Sequence, residues 1–375
     1  MGAMQVHVMM MLSMLHVALS VLATTVSATT IHKLGTADFS VVEITPVVWH
    51  GKLLRFESVR GDYGIADNGY ALGSRDPAMG KSSYYRFRDV VTLETTTSFA
   101  SGYSFGCAFV QKASERADGV ETMWAFGRGS NTTQIGAWSS IDLKTWINGG
   151  PGLQLSGFGH ATNDYEAFNN GVHVGRDGKM VMAIELGKPS DIVISGFTSV
   201  FARHSGDDDL SKGWTFLDPH THVYPPIIPT HGYMGACPTI RYVAEDDYYY
   251  MWNLHGESGG FGDCLVRSKD LINWETSKLN PILDWKAAGE VAADKGKAPR
   301  VKSWNYYVNF TKEMEAFIEG AEDINNSDID FCNVEHDGTN NVYISYSWGN
   351  QQGIEFLGAA EVKNTTVSSW LMSYF

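Results

Sequence analysis

Cysteine is scarce in this chain, and the four present have no metal-ligand spacing. Cys107, Cys237, Cys264 and Cys332 stand far apart, which excludes the paired cysteines of zinc sites. Four cysteines allow three disulfide pairings, and the sequence does not choose among them. Each sits inside an apolar, strand-like run, so they read as buried free thiols rather than a disulfide framework. Basic tracts are also absent. Lys and Arg total 28 against 42 Asp and Glu, a formal charge of −14. That balance excludes a nucleic-acid-binding surface and argues against polyanionic partners. Convincing helical periodicity is rare, and no strongly apolar run follows the first 28 residues.

Those first 28 residues lack Lys, Arg, Asp and Glu altogether, and Val8 to Ala23 is almost unbroken apolar sequence. Small residues at Ala23 and at Val26-Ser27-Ala28 offer cleavage points. The stretch reads as a secretory signal peptide without the usual positive start, with an uncleaved membrane anchor as the alternative. The run is short for a span and contains His16, which favours secretion. Residues 29–375 then form one domain. With 12% aromatic and 19% charged residues, it is globular rather than disordered. Four sequons, at Asn131, Asn309, Asn325 and Asn364, fit a secreted glycoprotein.

What is abundant is β signal. Ser140 to Trp146 reads Ser-Ile-Asp-Leu-Lys-Thr-Trp, and Ser268 to Trp274 reads Ser-Lys-Asp-Leu-Ile-Asn-Trp. A looser copy joins Asp209-Leu210 to Trp214. The three tryptophans recur roughly every 60–70 residues, the mark of a repeat architecture. A pair of strands can be read five times: Glu43–Trp49 with Leu53–Val59, Phe105–Val110 with Glu121–Gly127, and Gly171–Val174 with Met180–Leu186. Thr239–Val243 with Tyr248–Leu254, and Asp328–Val334 with Asn341–Trp348, complete the set. Turn formers such as His50-Gly51, Asp177-Gly178 and Asp337-Gly338 fill the gaps. Three or four antiparallel strands repeated five times predict an all-β, five-bladed β-propeller, with Glu355–Val362 completing a blade.

Five blades carrying Ser-x-Asp-Leu-x-x-Trp turns resemble the five-bladed propeller glycosidases, the superfamily of arabinanases, β-xylosidases, invertases and levansucrases. The resemblance covers most of residues 40–365. In such turns the Trp is expected to pack beneath its hairpin and the Asp to cap backbone amides. The resemblance implies a carbohydrate ligand and permits an axial ion, although no metal or cofactor motif stands in the sequence. It also implies acids at the first-strand starts of the first, third and fourth blades. This chain shows Thr45-Pro46, Asn169-Asn170 and Cys237-Pro238 there. The Trp-x-Asn-Asp-Pro opening of the invertases is missing, and Arg75-Asp76-Pro77 reads as a coincidental triplet in the first blade's long loop. The catalytic triad of the family does not transfer, so the acids are relocated or the activity is lost.

In an antiparallel hairpin the start of one strand lies beside the end of the next, so one channel mouth collects both. First-strand starts offer Thr45, Gly106, Asn170, Cys237, Asp328 and Asp330. Second-strand ends offer Arg55, Glu57, Arg128, Glu185, Asn253, His255 and Trp348. The following loops add Asp62, Tyr63, Lys188, Asp191, Glu257, Gln351 and Gln352. Glycoside hydrolysis needs a protonated and an ionised carboxyl across the scissile bond. Asp328 is the expected base or nucleophile and Glu185 the acid or its pKa-setting partner, with Glu57 a rival for either role. Trp348 would stack on a sugar face, while Asp330, Arg55, Asn170 and His255 would bind hydroxyls. Plainer roles stand beside these: a Glu57–Arg55 ion pair, turn caps at Asp328 and Asp330, and core packing for His255 and Trp348. A monomeric secreted glycosidase is the leading reading. A non-catalytic carbohydrate-binding propeller and a protein-interaction propeller are the alternatives. Two mouth carboxyls about 5–10 Å apart would favour hydrolysis.

Overall fold

A two-residue turn in left-handed backbone closes the first hairpin of this fold. At His50 (φ 48°) and Gly51 (φ 74°) the chain reverses so that Trp49 pairs with Lys52. Positive φ at both central residues matches the right-handed twist of the flanking strands, as a type I′ hairpin requires. In the computed structural model, the described residues are 30–39, 41–61, 75–155, 165–187, 197–226, 234–257, 260–285, 310–321, 323–336, 338–349 and 355–375. The leader 1–28 and the loop residues Asp62, Tyr63, Lys188, Asp191, Gln351 and Gln352 lie outside them, as does Asn309.

The described chain is nearly all β. A first antiparallel unit comprises β2 (Val41–Trp49), β3 (Lys52–Val59) and β4 (Tyr84–Asp89). The second holds β5 (Ser104–Gln111), β6 (Thr122–Arg128), β7 (Gln134–Ser140) and β8 (Ile147–Gln154). The third runs through β9 (Glu166–Val174), β10 (Met180–Gly187) and β11 (Thr198–His204), against which β12 (Trp214–Phe216) and β13 (Val223–Tyr224) both pair. The fourth is β14 (Met234–Val243), β15 (Tyr248–Glu257), β16 (Gly260–Ser268) and β17 (Trp274–Thr276). In the last, β18 (Asn325–His336), β19 (Thr339–Gly349) and β20 (Glu355–Val362) are joined on the outside by β1 (His32–Phe39). All five hairpins expected from sequence form, and Glu355–Val362 is a strand. The outer strand β1, drawn from the start of the described chain, was not legible. Its alternation is obscured because most of its residues are buried on both faces.

The first strands touch in a cycle: β2 with β5, β5 with β9, β9 with β14, β14 with β18, and β18 with β2. The units are glued by apolar clusters shared between neighbours. Phe56, Phe87 and Phe99 of the first pack on Met123 and Trp138 of the second. Trp252 and Leu265 of the fourth pack on Phe331, Ile344 and Trp348 of the last. Helix α1 (Lys312–Gly320) places Ile318 and Phe317 in that last cluster, and α2 (Val367–Met372) adds Trp370.

The repeated turn has one geometry at both full copies. Ser140 Oγ accepts from Leu143 N at 2.8 Å, and Asp142 Oδ1 accepts from Lys144 N and Thr145 N. Ser268 and Asp270 do the same for Leu271, Ile272 and Asn273. The Asp therefore caps amides as expected. The Trp joins the cluster that holds its own turn's Leu143 or Leu271, and it also reaches the preceding unit. Trp146 stacks on Phe99 and Phe87 of the preceding unit, at 3.7 and 5.6 Å, and Trp274 stacks on Phe201 at 5.5 Å. The motif is a joint between units. The four cysteines are free thiols, Cys107 and Cys264 buried.

Candidate functional site

A bulge interrupts each first strand near its start. Register slips between Val42 and Thr45, Ser104 and Cys107, Ala236 and Thr239, and Ser327 and Asp330, and opposite Ile184–Leu186 on β9. At four of these bulges a non-glycine residue is left-handed: Glu43 (φ 47°), Phe105 (φ 55°), Cys237 (φ 51°) and Asp328 (φ 53°). Holding such residues there costs on the order of 1 kcal/mol each and re-aims their side chains. The re-aimed groups converge. Glu43, Thr45, Gly106, Asn169, Asn170, Cys237, Asp328 and Asp330 all line one axial pocket.

Two carboxyls meet at this pocket across an amide: Asp328 lines it, and Glu185 stands behind the lining residues Asn169 and Cys237. Glu185 Oε2 accepts from Cys237 N at 2.7 Å and from Asn169 Nδ2 at 3.1 Å. The same Asn169 nitrogen lies 3.5 Å from Asp328 Oδ1, and Asp328 Oδ2 accepts from Ser327 Oγ at 2.8 Å. One nitrogen touching both at 3.1 and 3.5 Å caps their nearest oxygen–oxygen separation at about 6.6 Å, so the two carboxyls are near enough to act on one bond. Glu185 is 3% exposed, whereas Asp328 is half-buried. Burial pushes the Glu185 carboxyl up and the Asp328 charge adds to it. The Cys237 and Asn169 hydrogen bonds pull it down, and it comes to rest at about 7.

Two further acids were missed in the sequence. Glu43 stands at the first-strand start of the first unit, two residues before the Thr45 expected there. Burial, then Asp328, raise its carboxyl well above the ordinary range. Its Oε2 is buried without a hydrogen-bond partner, as is Asn169 Oδ1. Asp263, fully buried on β16 with both oxygens unpartnered, is likewise raised by burial and then by Asp328. No local pattern announces a bulge, so reading the strands as regular put the inward positions at Thr45 and Asn170. The bulges add Glu43 and Asn169 to the pocket lining beside them.

Several expected roles are corrected. Glu57 is fully buried among Arg55, Arg86 and Arg88, with contacts of 2.8, 2.7 and 3.1 Å. Burial pushes its carboxyl up, but Arg88, Arg86 and Arg55 outweigh that and hold it far below the ordinary range. A carboxylate so held is no acid, and Arg55, equally buried, offers no sugar contact. Trp348 is fully buried, stacked on Phe356 at 4.1 Å with its Nε1 donating to Thr36 Oγ1, and so is no sugar platform. Asn170 spends both ends of its amide on Cys107 Sγ and Phe105 O. Asp330 lines the pocket but is ion-paired with Arg241 and accepts from Phe331 N. His255, half-buried near the end of β15, is not among the pocket-lining residues. Among the described residues, no three or more His, Cys, Asp or Glu are grouped to hold a metal ion. Nor is any described helix long and apolar enough to cross a membrane.

No family model matches the chain, and neither does any curated protein. Solved structures do. A GH62 hydrolase crystallised with xylotriose aligns at a TM-score of 0.51 and 9% identity, over 88% of this chain and 97% of its own. The catalytic domain of a Coprinopsis cinerea GH62 α-L-arabinofuranosidase gives 0.47 and 8%, over 89% and 97%. A thermostable family-43 glycoside hydrolase gives 0.47 and 11%, over 88% and 92%. At such identity the likeness is one of fold alone, and the chain is similar in fold to the GH62 hydrolase.

Proposed function

We propose that this chain is a secreted, five-bladed β-propeller glycoside hydrolase whose catalytic acids have moved from the family positions. The five antiparallel units and the closed cycle of first-strand contacts support the blade count. The observation that carries the activity is the Glu185–Asp328 pair bridged by Asn169. Burial makes Glu185 a proton holder near neutrality, while Asp328 is half-buried and accepts a hydrogen bond from Ser327 Oγ. Unequal environments of this kind separate an acid from a base.

Glu185 comes from the second strand of its blade, yet its carboxylate is held by Cys237 N, at the start of the fourth blade where relatives are expected to carry an acid. The carboxyl thus reaches that place from another strand. In the reaction, the glycosidic C–O bond breaks as Glu185 gives its proton to the leaving oxygen. Asp328 either takes a proton from the attacking water or bonds the anomeric carbon first. The unpartnered acceptors Glu43 Oε2 and Asn169 Oδ1 are placed to receive sugar hydroxyls.

A non-catalytic carbohydrate-binding propeller is the second reading, favoured by Asn169 and Cys237 standing where relatives have acids. Hydrolysis of a panel of aryl glycosides and oligosaccharides by the purified protein, beside Asp328→Asn and Glu185→Gln, separates the two. Turnover that collapses in both variants supports the pair. Sugar binding with no turnover in the wild type supports the second reading.

A further inference from the structure

One seam of the ring buries polar groups on both walls. Ser345 and Ser347 of β19 lie opposite Ala359 and Leu357 of β20, which share a cluster with Val41, Val59 and Tyr84 of the first unit. This is therefore the face that the last unit turns toward the first. Ser327 pairs with Ser347 on the same face, and Asn325 Nδ2 donates to Ser327 Oγ at 3.0 Å. All four polar residues are fully buried. The opposing wall carries Arg55 and Glu57, which alternate with Val59 on one side of β3 and are equally buried.

The walls do not satisfy each other. Ser345 Oγ, Ser347 Oγ and Asn325 Oδ1 are buried without a hydrogen-bond partner. Native interiors rarely leave such atoms dry. Buried polar atoms left over in this way are served by internal water.

We propose that a file of internal waters occupies the seam between the last and first units, bonded to Ser345, Ser347 and Asn325. It ends at Ser327, whose hydroxyl donates to Asp328. The file gives Asp328 a route for proton exchange that stays open when a ligand seals the mouth. That consequence rests on the catalytic reading, whereas the water file does not.

A high-resolution crystal structure of the wild-type protein tests the file directly. Ordered waters within hydrogen-bonding distance of Ser345 Oγ and Ser347 Oγ are expected; a dry seam overturns the proposal. Melting of Ser345→Ala and Ser347→Ala gives an independent sign. A hydroxyl served by water leaves the protein less stable when removed, so Tm falls by a degree or more. Removing an unsatisfied hydroxyl relieves a penalty, so a rise in Tm overturns the file. In an active enzyme the double variant lowers kcat several-fold with KM unchanged, and an unchanged kcat refutes the exchange route. Absence of hydrolysis refutes the catalytic reading alone, because the crystal and melting readouts decide the seam without turnover.

Discussion

Two carboxyls sharing one amide differ in function because they differ in burial. Glu185, 3% exposed, keeps its proton to about 7, and the half-buried Asp328 is the charge that its neighbours feel. The pH profile then has a fixed sign. Activity should fall as pH rises through about 7, where Glu185 loses its proton. Glu185→Gln should cost roughly 10²–10⁴-fold in kcat and remove the upper limb, measured with an unactivated oligosaccharide whose leaving oxygen needs the proton. Stability carries the opposite message. A folded value raised from 4.5 to about 7 means the native state binds the proton more tightly, so stability declines as pH rises between those values. The decline is on the order of 3 kcal/mol. Glu185→Gln should flatten that slope in melting curves, gaining stability at neutral pH while losing turnover. Asn325 yields a second residue-level test. Its sequon is fully buried, while Asn131 and Asn364 are exposed. Glycopeptide mapping of protein from a eukaryotic secretory host should find no glycan at Asn325.

At the scale of elements, the Ser-x-Asp-Leu-x-x-Trp turn separates two contributions. Its Asp satisfies local amides, worth about 1 kcal/mol as other caps are. Its Trp spans two units, so Trp146→Ala strips the stacking on Phe99 and Phe87. Because Trp146 is only partly buried, the loss should be about 2–3 kcal/mol, below that of a fully buried Trp. Urea denaturation of Trp146→Ala and Asp142→Ala should rank them in that order; equal losses would make the turn a purely local cap. The same motif marks what could be read in advance. Its spacing and the hairpin turns revealed the strand pairs, because turn chemistry and alternation are local. The bulges at Glu43 and Asp328 are not local, since an extra residue is set by the neighbouring strand. Asp328 and Glu185 could be proposed from the sequence because they fall on a strand start and end. Glu43, Asn169 and Asp263 needed the structure, and Glu57 and Trp348 were misjudged because strand position alone does not say which seam a side chain enters.

For the whole molecule the decisive place is where the ring closes. The last unit takes its outer strand, β1, from the start of the described chain, and Asp38 on it meets Arg88 at 3.3 Å and Arg86 at 3.9 Å. Both arginines also hold Glu57, so the first and last units share one buried cluster of three guanidiniums and two carboxylates. A buried ion cluster adds little over a well-packed apolar seam, but breaking it strands charge. Glu57→Gln removes the carboxylate charge that Arg55, Arg86 and Arg88 share, and should cost about 3–5 kcal/mol. The pH dependence follows from the depressed Glu57 carboxyl. Its contribution is present above the ordinary carboxylate value of about 4.3 and is lost as pH falls toward its folded value. Acid titration of the wild type should therefore unfold the closure in a range where Glu57→Gln shows a shallower slope. Residual sugar binding by folded Glu57→Gln should match the wild type, because Glu57 lies in the seam and not in the axial pocket. A variant that kept full stability but lost binding would instead return Glu57 to the site, and the ring would need another clasp.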